Sequence, residues 1–159
     1  MNPDMTTEHA AHAPDALELL SFRLGDQEYC VDIMSVREIR GWTPATPLPY
    51  APAHVKGVIN LRGTVLPVID LSLRLGMAGV AGNETNVIIV VQVGSVSVGL
   101  LVDAVSDILT IAASELQPPP ELGDELTASY IRALTLVEGQ LVRVLNLAAV
   151  MPQDAIRAA

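Results

Sequence analysis

Aromatic side chains make up only 3% of the 159 residues, and there is a single cysteine, Cys30. One cysteine excludes an internal disulfide framework and fits a reducing compartment. No apolar run nears the roughly 18 residues that a membrane span needs; the longest aliphatic stretch is Val87 to Val91. The N-terminus, MNPDMTTEHAAHAPDA, has neither the basic start nor the apolar segment of a secretory signal, so the expected location is the cytoplasm. Basic residues are scarce as well: 9 Lys and Arg stand against 18 Asp and Glu, for a formal charge of −9. That balance argues against nucleic acid and anionic lipid as main partners, because both reward clustered cations.

Catalytic side chains are equally sparse. His9 and His12 fall in the polar, Pro-containing residues 1–16, read as a disordered tail, which leaves His54 as the one histidine of the folded part. Its neighbours Pro52 and Val55 offer no orienting carboxylate, so no Ser-His-Asp or Cys-His arrangement is expected. Nothing cationic lies near Cys30 to make a reactive thiolate, and it reads as a small filler on the polar phase of its strand. One cysteine and scattered histidines cannot form a zinc site. The run GMAGVAG, Gly76 to Gly82, lacks the Lys-Ser/Thr of a phosphate-binding loop and reads as a linker. No enzyme, metal or cofactor is expected.

What is present is short, β-branched strands separated by Gly, Pro and Asp. In EYCVDI, Tyr29, Val31 and Ile33 alternate with Glu28, Cys30 and Asp32, and SVSVGLLV alternates in the same way. These segments belong to a repeat. LGDQEYCVDIMSVREI superimposes on VGSVSVGLLVDAVSDI, pairing Val36, Glu38 and Ile39 with Val105, Asp107 and Ile108. With seven further residues of offset, GTVLPVIDL (Gly63 to Leu71) matches GQLVRVLNL (Gly139 to Leu147), the extra length falling near Pro118-Pro119-Pro120. The repeat predicts an all-β chain of two tandem units, about 17–75 and 86–150, joined by a linker at about 76–85 and followed by a tail from 152 to 159. Each unit would have about five strands curled into a small barrel, then a short helix capped by Asp70 or Asn146.

Three features are not explained by the repeat pattern alone. In VINLRGTVLPVIDL, Gly63 suits a tight hairpin turn, but Arg62 does not follow from turn chemistry, and its repeat partner is Glu138. Arg62 is therefore either a solvated turn residue or a binding group. Trp42, the only tryptophan, either covers a barrel end or is an exposed anchor; it precedes the Pro-rich TPATPLPYAP. Val36, Glu38 and Ile39 form either a solvated edge or the polar rim of an apolar patch.

Taken together, FRLGDQEYCVDIMSVREIRG, HVKGVINLRGTVLPVIDL, VGLLVDAVSDIL and SYIRALTLVEGQLVRVLNL resemble the CheW family of bacterial chemotaxis coupling proteins, from about Leu19 to Met151. The resemblance implies two SH3-like five-stranded β-barrel subdomains with short helices. It also implies a non-enzymatic adaptor between the cytoplasmic tips of methyl-accepting chemoreceptors and the regulatory domain of the chemotaxis histidine kinase, within membrane-associated arrays. Carried onto this chain, receptor contact falls on Ile33, Val36, Glu38, Ile39, Gly57, Arg62 and Val105, with Glu38 holding the Arg62 fork. Trp42, Leu66, Leu116 and Leu122 are the candidates for kinase contact. Two other readings stand beside this one: an adaptor of the same fold in a non-flagellar chemosensory pathway, and a small-ligand β protein with Cys30 or His54 lining a cavity.

Overall fold

Four two-residue hairpins organise the chain. In the computed structural model, which describes residues 16–79, 84–119 and 130–152, β1 (Ala16–Leu24) turns into β2 (Gln27–Asp32). The others are β4 (Val55–Leu61) into β5 (Thr64–Asp70), β6 (Val87–Val93) into β7 (Val96–Val102), and β9 (Ile131–Val137) into β10 (Gln140–Leu145). Two of these turns place glycine first, Gly25 and Gly94, each with φ of +60°. The other two place it second: Arg62 and Glu138 have φ of +51°, followed by Gly63 and Gly139 at +87° and +81°. Positive φ at both central residues is the type I′ geometry, whose twist matches the strands it joins. β3 (Val36–Gly41) and β8 (Ala104–Ala112) complete the strands, and short helices α1 (Leu71–Arg74) and α2 (Leu147–Val150) follow β5 and β10.

The strands form two five-stranded sheets, ordered β8-β1-β2-β10-β9 and β3-β6-β7-β5-β4. Pairing is antiparallel except where β10 meets β2 and β5 meets β7. The expected all-β fold with two five-stranded units is what the structure shows. The division into consecutive units is corrected. Each sheet takes two strands from one repeat and three from the other, because β2 and β7 accept parallel partners from the opposite half on their free edges. The chain therefore changes sheet after β2, through a 3-10 turn at Ile33–Ser35, and again between β7 and β8. Strand alternation specifies which residues share a face; it does not specify which strand occupies an edge.

Two isolated bridges curl the sheets closed. Thr46 pairs with Val58 through two backbone hydrogen bonds (2.8 and 2.9 Å), and Gln117 pairs with Leu134 in the same way (2.8 and 2.7 Å). The first closure requires Gly57. Its φ is +141°, and a Cβ there would lie 2.1 Å from the Thr46 carbonyl oxygen.

Because the halves exchange strands, β2 and β7 are buried on both faces, not on one as their alternation suggested. Tyr29 and Val31 join the large core with Leu20, Phe22, Ile89 and Leu100. Cys30 faces the other way, fully buried against Leu19, Ile111, Ala133, Val142 and Val144. Its repeat partner Gly99 sits against Ile88, Val68 and Leu66. Asp70 caps α1 by accepting from Leu73 N at 3.2 Å; α2 begins without a side-chain cap bond, so the expected role of Asn146 is not met. The expected N-terminal tail up to Asp15, residues 80–83 of the linker, Leu122, and the C-terminal tail from Gln153 lie outside the described residues.

Two outcomes follow. Gly57→Ala is expected to lose at least about 2 kcal/mol, read as a lower urea midpoint, because it forces a strained φ and a backbone collision at the closure. Burial, aided by the charge of Glu28, pushes the Cys30 thiol up to about 12. A maleimide should therefore label it at the rate of global unfolding, not at the rate of an exposed thiol.

Candidate functional site

The Thr46–Val58 bridge fastens the segment beyond β3 to β4, and nearby a side-chain contact brings together residues 24 apart in sequence. Glu38, on β3, reaches the β4–β5 turn, where Arg62 Nη2 donates to Glu38 Oε1 at 2.7 Å and Nη1 lies 3.5 Å from Oε2. Arg40, two residues along the same face of β3, donates to Glu38 Oε2 at 3.4 Å. The carboxylate is thus held from both sides. The Arg62 hydrogen bond and charge hold Glu38 below the ordinary carboxylate range, and Glu38 in turn raises Arg62. The Glu38 side chain is 24% exposed and that of Arg62 is 72% exposed, so the fork lies over a largely covered carboxylate and keeps donors facing solvent.

Arg62 occupies a turn position that disfavours it. Left-handed φ suits glycine or asparagine, and Asn60 supports the turn by accepting from Gly63 N at 2.8 Å. With Arg37, Glu38, Leu61, Thr64, Leu66, Val90 and Ser97, Arg62 lines a cavity of about 450 Å³.

Of the residues assigned to a receptor, Glu38 and Arg62 are in direct contact. Ile33 and Val36 lie at the β2–β3 crossing and Val105 at the start of β8; all three are partly buried against the large core. Ile39 points outward, 46% exposed. Gly57 is buried and serves the closure, so its effect on binding would pass through the fold.

Of the kinase candidates, Trp42 is partly buried and lines a second cavity of about 310 Å³ with Pro44, Pro47, Lys56 and Leu101. Leu116 is half-covered by the smaller core. Leu66 is corrected: it is 3% exposed, a core residue that meets only the floor of the Arg62 cavity, whereas Val65 beside it is 66% exposed.

Other candidates reduce to structure. His54 accepts from Asp70 N through its backbone carbonyl (2.7 Å), while partial burial and Arg74 hold its imidazole below the ordinary value. Neither His54 nor Cys30 lines either cavity. No group of three metal-ligating side chains occurs among the described residues. None of their helices is long and apolar enough to cross a membrane. Arg37 and Arg40, which flank Glu38 in VREIRG, and the exposed Met34 were missed from sequence. Two arginines bracketing the single glutamate were the available signal.

Comparison with known proteins agrees with this architecture. The family model described as "CheW-like domain" matches residues 18–155. Chemotaxis protein CheW of Rhizobium meliloti is 54% identical over 142 residues, covering 89% of this chain and 92% of that protein. Protein FrzA of Myxococcus xanthus is 34% identical over 150 residues, covering 92% and 91%. The crystal structure of the scaffolding protein TtCheW from Thermoanaerobacter tengcongensis superimposes with a TM-score of 0.80 at 27% identity, covering 91% of this chain and 93% of that one.

Replacing Arg62 by glycine removes the fork while relieving the left-handed φ. Arg62→Gly is expected to melt no lower than wild type. The Glu38 carboxyl carbon should titrate closer to the ordinary range by NMR. The sign follows from the lowered pKa: the attraction is present above the ordinary glutamate range and is lost as pH falls through the depressed value.

Proposed function

The chain belongs to the CheW-like family, and from that premise we propose that it is a chemotaxis adaptor that couples the cytoplasmic tip of a chemoreceptor to the regulatory domain of the chemotaxis histidine kinase. The observation that carries this reading is the Arg62–Glu38 pair. An arginine is kept at a turn position better suited to glycine, with its fork steered by a carboxylate and its remaining donors exposed. Such a fork can take a carboxylate or backbone carbonyls bidentately, which a lysine ammonium does less well. An exposed ion pair does little for stability, so holding this one in place serves orientation.

The adaptor works by positioning and carries out no chemistry. A receptor helix lies against the surface that includes Val36 and Ile39, with Arg62 and Glu38 as its polar rim. Kinase contact falls on a separate surface, around Trp42 and the loop beyond it, where Leu48 and Tyr50 are exposed. Two separate surfaces allow one molecule to bridge two partners, and the adaptor is recruited to receptor arrays through them. Burial of Cys30 and the position of His54 count against the small-ligand reading.

Co-sedimentation with receptor signalling fragments and, separately, with the kinase regulatory domain tests the assignment. Arg62→Ala is expected to weaken receptor binding by roughly tenfold or more while leaving kinase-domain binding within about twofold of wild type. Loss of both, or of neither, would remove Arg62 from the receptor surface.

A further inference from the structure

Beside Glu38, the side chain of Arg37 is exposed yet engaged by protein groups. Its Nε donates to Gln92 Oε1 at 2.8 Å, and Gln92 Nε2 donates in turn to the Gly94 carbonyl at 2.8 Å. Its Nη1 donates to the Met34 carbonyl at 3.2 Å. From the other side, Asp32 Oδ1 accepts from Met34 N at 2.9 Å. Both backbone polar groups of Met34 are thus held by side chains, on a 3-10 turn whose neighbours Ile33 and Val36 pack into the core. The Met34 side chain itself is 76% exposed.

A single exposed apolar side chain is ordinary on a protein surface. Met34 differs in where it is held. The residue that fixes its carbonyl, Arg37, also lines the cavity shared with Glu38 and Arg62, so the methionine borders the candidate receptor surface. Two of the chain's 9 Lys and Arg residues, Arg40 and Arg62, hold the carboxylate of Glu38, and a third, Arg37, lines the same cavity as Glu38 and Arg62, in a protein of net charge −9. That local excess of positive charge favours an acidic partner segment. Methionine's unbranched thioether adapts to the shape of an apolar partner at a surface whose backbone is fixed.

We propose that Met34 is an apolar anchor of the receptor surface, positioned by Arg37, and that the receptor helix it meets carries an apolar residue beside a carboxylate that reaches Arg62. This rests on the adaptor reading given above. Arg62 supplies the free donors, whereas two of the Arg37 nitrogens are engaged by Gln92 and Met34, so Arg37 acts through the turn.

Binding of the full-length chain to receptor signalling fragments, with kinase regulatory-domain binding as the control for folding, tests both halves. Met34→Ala is expected to weaken receptor binding by about tenfold, Met34→Leu to stay within about twofold, and kinase-domain binding to stay unchanged. Arg37→Ala should also weaken receptor binding. The double variant Met34→Ala/Arg37→Ala should be no weaker than Met34→Ala alone, the non-additivity expected of residues acting as one unit. If Met34→Ala binds as wild type does while Arg62→Ala fails, the anchor is wrong and the adaptor reading stands. Additive losses would overturn the positioning role of Arg37. If the wild-type chain binds no receptor fragment, both readings fall together.

Discussion

A two-hydrogen-bond bridge, Thr46 to Val58, is the contact on which the candidate site depends. The five strands β3-β6-β7-β5-β4 form an open ladder whose two edges are β3 and β4. The bridge joins the segment just beyond β3 to β4, and Gly57 lets the backbones approach closely enough for it to form. With that segment held, Glu38 on β3 lies within reach of Arg62 at the β4–β5 turn. The pair is thus a product of barrel closure, and the closure in turn depends on a residue without a side chain.

The internal repeat supplies a comparison within the same molecule. The other barrel closes through Gln117 and Leu134, and its β9–β10 turn has the same positive φ at both central positions. Yet Glu138 stands where Arg62 stands, and Asp107 where Glu38 stands. Asp107 accepts from the adjacent Ile108 N at 2.8 Å, and no ion pair spans that turn among the described residues. One backbone geometry therefore carries an ion pair in one barrel and two acids in the other. The fold tolerates either, which locates the reason for Arg62 outside the fold.

Much of this was readable from residue order. β-branched alternation marked the strands, the glycines marked the turns, and the repeat predicted two five-stranded units. Arg62 was conspicuous because its repeat partner had the opposite charge, and the resemblance to the coupling proteins supplied Glu38 as its partner. The exchange of strands between halves was not readable, since the parallel partners of β2 and β7 lie 114 and 31 residues away in sequence, in the opposite half. Leu66 was misjudged as available and is core, while Cys30, rightly read as a small filler, sits on a face of β2 that is buried and not polar. The hold on Met34 was hidden because it needs the Arg37–Gln92 bond, between residues 55 apart that meet only when β3 pairs with β6.

The central claim is that the β2–β3 crossing, Glu38 and the Arg62 turn form one receptor-facing surface. Chemical-shift mapping of the isotope-labelled chain titrated with a receptor signalling fragment tests it most directly. The account predicts perturbations concentrated at residues 33–39 and 61–63. Shifts confined to the Trp42 indole and the loop at 43–53, with the crossing and the Arg62 turn silent, would contradict it.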